Sequence, residues 1–310
     1  MRDCNLSIKN LYLEEKDGFS LEIPEIYLER GEAVGIIGAN GSGKTSLLEA
    51  ILRFRRIKRG EIEVLGRLTD QLDNECRSKL GVYLQTVNYE STFLVKEIVR
   101  LHRIAYYHEY SDLYDLLSIS ELENKTFEHC STGQKERAGL YLALANNPGI
   151  AFLDEPTSAL DSAAAAAFRS YIRKQRQSNP NLSYLIVTHD HNDADLVDRL
   201  IWLDSGRIID EGDIDTLLSR YLGPRHLKFH NLNPKMKSLI IEKIETVRDT
   251  NSRVQIRIEE ISIENSILHV FGTSDIEKPL IELVMEYVNC EYSVTDSSCQ
   301  DLVAHGLNLE

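Results

Sequence analysis

A chain of 310 residues with 42% hydrophobic and 27% charged residues is long enough to bury more than one core and too polar to be built of membrane spans. Its net charge of −14 argues against a nucleic-acid partner, which draws affinity from clustered Lys and Arg. The five cysteines, Cys4, Cys76, Cys130, Cys290 and Cys299, lack metal-ligand spacing and are odd in number, so they read as thiols of a reduced compartment rather than a disulfide framework.

Residues 1–30 alternate apolar and polar side chains (LSIKNLYLEE, FSLEIPEIYLE), the period of antiparallel strands laid over one face of a core. They carry no apolar leader, and no apolar run in the chain approaches the ~20 residues of a membrane helix. Any membrane span is therefore expected in another chain.

The short apolar run Ala33 to Ile37 leads directly into GANGSGKT, Gly38 to Thr45, and then into the helix-like SLLEAILRF. A glycine-rich turn between strand and helix that ends in Gly-Lys-Thr wraps backbone N–H groups around phosphates, and the helix N-terminus adds partial positive charge. The expected nucleotide contacts of this P-loop are Gly38, Ala39, Asn40, Gly41, Ser42, Gly43, Lys44, Thr45 and Ser46. Lys44 is expected at the β- and γ-phosphates and the Thr45 hydroxyl on Mg²⁺.

Between Tyr89 and His129 the pattern turns helical (FLVKEIVRLHRIAYYHEY, LYDLLSISELEN). The apolar strand Gly149 to Leu153 then ends in Asp154 and Glu155, placing two carboxylates at the carboxyl edge of a parallel sheet, where such folds bind ligands. Asp154 suits Mg²⁺, and Glu155 suits a general base that polarises the attacking water. The alanine-rich DSAAAAAFRSYIRKQR is a helix by propensity. A third strand, SYLIVT (Ser183 to Thr188), ends at His189, which is placed to donate a hydrogen bond to the γ-phosphate. The string HDHNDAD around it has neither H-x-x-x-H nor calcium-loop spacing, and an acid-rich helix start accounts for it. IWLDSG and RIIDEG read as a hairpin with a glycine turn.

After Tyr221, residues 223–236 contain Pro224 and Pro234 and few apolar anchors, the composition of a linker. From about Lys237 a helix-like SLIIEKIETV, the alternating RVQIRIEEISIE, a strand-like SILHVFG, a helix-like DIEKPLIELVMEYV and a last strand around CEYSVTD predict a small α+β domain with an antiparallel sheet.

Taken in order and spacing, GANGSGKT, STGQKER (Ser131 to Arg137), IAFLDEPTSALD (Ile150 to Asp161) and VTHD (Val187 to Asp190) resemble an ABC (ATP-binding cassette) ATPase over roughly residues 5 to 220. The resemblance implies an α/β fold: a P-loop NTPase core with an antiparallel β subdomain and a helical subdomain, plus the small C-terminal α+β domain. It implies an ATPase domain over residues 1–222 with its helical part at about 88–133, a linker at 223–236 and the last domain at 237–310. Gln85 in GVYLQ matches the family's Gln between the subdomains, which contacts Mg²⁺ or the attacking water; with Thr45 and Asp154 it completes the expected metal set. CSTGQ, Cys130 to Gln134, matches the signature segment, so Ser131, Thr132, Gly133 and Gln134 are expected to act on ATP held by a second subunit, and Ser158 to Asp161 match the loop that crosses that interface.

A head-to-tail dimer, homo- or heteromeric, with two ATP molecules and Mg²⁺ sandwiched in it is therefore expected. The partner is an integral membrane permease, and the place is the cytoplasmic face of the cell membrane. Catalytic roles fall to Glu155, His189, Gln85 and Lys44, by in-line attack of water on the γ-phosphate. The signature departs from the family in having Thr132 for a Gly and Cys130 for a Leu, and a β-branched residue crowds a phosphate approach. That departure motivates the alternative of a regulatory or non-transport ABC ATPase with weak hydrolysis. The family's adenine-stacking aromatic falls near Glu15, leaving Phe19 and Tyr12 as substitutes. The tail resembles the C-terminal appendage of some exporter-type ABC ATPases, with SCQDLVAH (Ser298 to His305) in place of their last helix.

Overall fold

In the computed structural model, residues 4–15, 18–84, 92–106, 112–188, 190–248, 255–262, 265–272, 281–282 and 291–306 are described. The chain divides into two compact units, Met1–Glu211 and Gly212–Glu310.

The first unit opens with β1 (Cys4–Glu14) and β2 (Ser20–Glu29), paired antiparallel from Leu6↔Leu28 to Glu14↔Ser20, as their alternation requires. There follow β3 (Ala33–Ile37), α1 (Lys44–Ile51), β4 (Arg59–Val64), β5 (Arg67–Leu68), α2 (Asn74–Ser78) and β6 (Leu80–Tyr83). Two helices, α3 (Val95–Tyr106) and α4 (Asp112–Leu116), precede α5 (Thr132–Leu144). The unit closes with β7 (Ile150–Asp154), α6 (Ser162–Ser178), β8 (Ser183–Val187), α7 (His191–Ala194), β9 (Arg199–Asp204) and β10 (Arg207–Gly212).

Its strands form one ten-stranded sheet in the order β5-β4-β1-β2-β10-β9-β3-β8-β7-β6. The stretch β9-β3-β8-β7-β6 is parallel, and β3, β7 and β8 are buried at every residue, because helices cover both faces of a parallel sheet. Alternation along these strands feeds two cores. Ile150 and Phe152 of β7, with Leu185 and Val187 of β8, pack with β1, β2 and Leu47, Leu48 and Ile51 of α1. Ala151, Leu153, Tyr184 and Ile186 face the opposite way, against Leu140, Tyr141 and Leu144 of α5 and Phe168 and Ile172 of α6. Register aligns Ile36 of β3 with Val187 and Val187 with Asp154, so three motif-bearing loops leave the sheet at one edge. Among the described residues no helix is long and apolar enough to cross a membrane.

The second unit contains α8 (Ile214–Tyr221), β11 (Arg225–Leu232), α9 (Pro234–Arg248), β12 (Gln255–Ser262), β13 (Asn265–Gly272), β14 (Tyr292–Asp296) and α10 (Cys299–Gly306). Its sheet is antiparallel throughout, in the order β12-β13-β11-β14. The expected linker at 223–236 is overturned here. Most of it is β11, a central strand whose Leu227, Phe229 and Leu232 are fully buried against Ile240, Leu268 and Val270. Its two prolines bracket elements: Pro224 precedes the strand, and Pro234 takes the first helical position of α9, where no N–H is needed and Asn233 caps the helix by accepting from the Met236 N–H (2.9 Å). The expected helix DIEKPLIELVMEYV falls largely outside the described residues.

Candidate functional site

The loop from Gly38 to Gly43 is bent so tightly that its two end glycines leave no room for a side chain. A Cβ at Gly38 would stand 2.1 Å from the Leu203 carbonyl oxygen, and at Gly43, where φ is +104°, one would meet the Phe19 ring at 2.8 Å. This conformation turns the start of α1 toward a cavity of about 390 Å³ lined by Glu15, Phe19, Asn40, Lys44, Thr45 and Glu155, among others. Lys44 is only 7% exposed, and its Nζ donates to the Gly38 and Ala39 carbonyl oxygens at 2.8 Å each. Burial lowers its pKa, while the charges of Glu155 and Asp154 act in the other direction. The Ser42 hydroxyl is buried and has no hydrogen-bond partner among the described residues, so the loop contains a polar group that its own fold leaves unsatisfied.

Asp154 closes the floor of the site at the last position of β7. It is 3% exposed and accepts from Thr45 Oγ1 at 3.2 Å. Burial pushes its carboxyl up to about 6, the Thr45 bond and Lys44 charge pull it down, and Glu155 adds a further upward push. A buried carboxylate beside a hydroxyl is a hard-oxygen pair, the donor chemistry that Mg²⁺ takes. Glu155 follows with a left-handed backbone (φ 51), which costs a non-glycine residue roughly 1 kcal/mol or more. Its N–H is held by the Val187 carbonyl at 2.8 Å.

The expected contacts thus fall in two groups and a remainder. Gly38 to Ser46, Asp154 and Glu155 come together at the sheet edge. Ser131 to Gln134 are not among the residues lining that cavity; they begin α5, where Ser131 and Gln134 form a reciprocal capping box. Gln134 Oε1 accepts from the Ser131 N–H (3.1 Å), and Ser131 Oγ accepts from the Gln134 N–H (3.3 Å). Gly133 packs so closely on the following loop that a Cβ would lie 2.5 Å from the Ala159 carbonyl oxygen, whereas Thr132 is exposed. Gln85 and His189 lie outside the described residues.

Four residues acquire a place that sequence alone left open. Phe19 lines the cavity, while Tyr12 lies beneath the Arg59 guanidinium, 5.1 Å from its ring centre. Glu15 accepts from Ser46 Oγ (2.8 Å) and pairs with Arg55. Glu136, one helical turn after Gly133 in STGQKER, is 3% exposed and accepts the Ala159 N–H at 2.8 Å. Its place in that motif is the signal by which the sequence could have singled it out.

Comparison with known proteins places this geometry. Residues 21–158 match the family model described as ABC transporter. The bacitracin export ATP-binding protein BceA of Halalkalibacterium halodurans is 35% identical over 198 residues, covering 59% of this chain and 77% of that protein. The methionine import ATP-binding protein MetN 2 of Pectobacterium atrosepticum is 28% identical over 246 residues, covering 75% of this chain and 72% of that protein. Among solved structures, a dimeric ATP-binding cassette in a post-hydrolysis state with ADP and Pi is 28% identical, with a TM-score of 0.58 over 67% of this chain and 98% of that one.

Proposed function

The chain belongs to the ABC transporter family as an ATP-binding, ATP-hydrolysing subunit, and on that premise we propose how its residues divide the work. Lys44 and the N–H groups of Gly38 to Ser46 bind the phosphates. Thr45 and Asp154, with Gln85, hold Mg²⁺, which when bound neutralises charge on the β- and γ-phosphates. Glu155 accepts the proton of the attacking water, and His189 steadies the γ-phosphate from the neighbouring strand end. Phe19 packs on the adenine. The observation that carries this reading is the convergence of Lys44, Thr45 and Glu155 on one cavity, with Asp154 bonded to Thr45, a cavity to which Ser131 to Gln134 do not contribute.

Because the signature segment stands apart from that cavity, it serves the nucleotide of a second ATPase subunit, and each site is complete only in the dimer. ATP joins the subunits and hydrolysis releases them, so an interface with two states converts chemistry into motion. The motion is delivered to an integral membrane permease, with this subunit on the cytoplasmic face of the membrane. The docking surface for that permease is a groove of about 670 Å³ lined by Ile51, Leu52, Phe54, His102, Tyr106 and Leu142, among others. Among its lining residues Phe54 is 66% and Tyr106 38% exposed, apolar surface that suits an apolar segment of a membrane partner.

The deciding experiment is size-exclusion chromatography of the Glu155→Gln variant with MgATP. Accumulation of an ATP-containing dimer is expected, since the variant binds but does not hydrolyse. A variant that stays monomeric with ATP bound overturns the reading.

A further inference from the structure

The loop Pro156 to Asp161, which follows the general base, is held from two sides. On one side Thr157 Oγ1 donates to Asp193 Oδ2 at 2.7 Å, and Asp193, 1% exposed, also accepts from Arg169 Nη1 (2.9 Å) and Thr188 Oγ1 (3.2 Å). On the other side Glu136 Oε2 accepts the Ala159 N–H at 2.8 Å, and Gly133, one turn earlier on α5, packs against the Ala159 carbonyl. The second oxygen of Glu136, Oε1, is buried without a hydrogen-bond partner among the described residues.

We infer that Glu136 is a positioning residue: its carboxyl fastens the interface loop to the first turns of α5, so that loop and signature segment meet the second subunit's nucleotide as one rigid surface. This rests on the dimeric reading above. A buried carboxyl with one unpaired oxygen is a costly way to fill space, since an apolar side chain of similar volume does so without desolvating a charge. The charged groups that act on it, Asp193 on α7 and Glu155 at the end of β7, are both acids, and with burial they push the Glu136 carboxyl up to about 7. What Glu136 supplies in return is a directional acceptor for a backbone N–H of that loop. The linkage runs from the signature helix through the backbone of Ala159 and Thr157 to Asp193, which also accepts from Thr188 in VTHD, and so ties three motifs of one subunit into one hydrogen-bonded body.

The test compares Glu136→Ala and Glu136→Gln in the full chain, with the Glu155→Gln background for dimer trapping. Glu136→Ala is expected to lower kcat roughly tenfold while KM for MgATP stays within about twofold, because the phosphate loop is untouched and only the in-trans surface is loosened. Glu136→Gln keeps an acceptor for Ala159 and is expected to recover most of the kcat that Glu136→Ala loses. Glu155→Gln/Glu136→Ala is expected to trap less dimer than Glu155→Gln at equal ATP. If Glu155→Gln alone traps no dimer, the dimeric premise falls. If it traps dimer and the double variant traps just as much, or if Glu136→Gln is as impaired in kcat as Glu136→Ala, the role of Glu136 falls.

Discussion

Thr45 Oγ1 donates to Asp154 Oδ2 across 3.2 Å, joining the first turn of one helix to the end of a strand 109 positions later in the chain. The bond exists because β3 and β7 both flank β8 in register, so the loops after them open at the same edge of the sheet. It also sets what a divalent cation meets: a half-buried hydroxyl and a buried carboxyl already facing each other.

Since burial raises the Asp154 carboxyl to about 6, proton and metal compete for it near neutral pH. Mg²⁺-dependent nucleotide affinity is expected to fall as pH drops through about 6, while affinity without Mg²⁺ changes little. Calorimetric titration of ADP with and without Mg²⁺ across this range checks it. In Asp154→Asn the Mg²⁺ advantage should be small at every pH.

The nucleotide-free protein should lose stability as pH rises from the ordinary carboxyl range toward neutrality. The Glu136 carboxyl is raised from 4.5 to about 7 in the fold, so between these values the folded state holds a proton that the unfolded state has released. Folding is then penalised progressively as pH rises, by an amount on the order of 3 kcal/mol once both states are ionised. Denaturant titrations of the wild type and Glu136→Gln at several pH values test this: the variant should have the flatter profile and be the more stable of the two above neutral pH.

Thr132 and Gly133 should respond oppositely to substitution. Gly133→Ala drives a Cβ to within 2.5 Å of the Ala159 carbonyl and must displace either the loop or the helix start, so ATPase activity should fall severely. Thr132→Gly alters an exposed position, changes stability by no more than about 1 kcal/mol, and should raise ATPase activity by opening the phosphate approach for the second subunit. Steady-state ATPase rates with parallel thermal melts separate the two, and an activity loss in Thr132→Gly would refute the crowding account.

In the second unit a buried polar chain runs from His269 through His226 to Asp301. His226 Nε2 lies 3.0 Å from His269 Nδ1, and His226 Nδ1 lies 3.3 Å from Asp301 Oδ1. Burial pushes the Asp301 carboxyl up, yet the His226 hydrogen bond and charge, with the Ser298 bonds, outweigh it and hold the group below its ordinary range. The stabilisation is therefore present above the unfolded pKa and is lost as pH falls through the folded one. Asp301→Asn should destabilise this unit at neutral pH by about 1–3 kcal/mol and remove part of its acid sensitivity. Amide hydrogen exchange of residues in β11 and β13 reads this out within the intact chain.

Phe54→Ser and Tyr106→Ser remove exposed apolar surface from the proposed permease groove without touching the nucleotide cavity. Recovery with the membrane fraction from cells that express the permease should drop, while ATP binding by the purified subunit is retained. Equal recovery for wild type and variants places the docking surface elsewhere.

The chemistry of the site was legible in the residues themselves, because each motif is a local solution to a local problem. Gly38 to Thr45 must turn backbone N–H groups inward, and an apolar strand ending in Asp154 and Glu155 must expose its acids at the sheet edge. The alternation of residues 1–30 likewise declared two antiparallel strands. β11 was hidden by composition: its prolines sit just outside it or at a helix start, and a strand of eight residues with three fully buried apolar side chains reads as loop until the sheet that buries it is known. Which aromatic reaches the cavity, Phe19 rather than Tyr12, depended on the register of β1 against β2 and β4.

What the sequence alone determined was the local set: a phosphate loop, a metal-suited Asp with its neighbouring Glu, and a signature segment, each dictated by residue type over a few positions. Only the tertiary structure decided how they combine, since that rests on contacts across long stretches of chain. It set Thr45 against Asp154, kept the signature segment out of the cavity that its own chain forms, and buried Glu136 where a single backbone N–H of the interface loop could reach it.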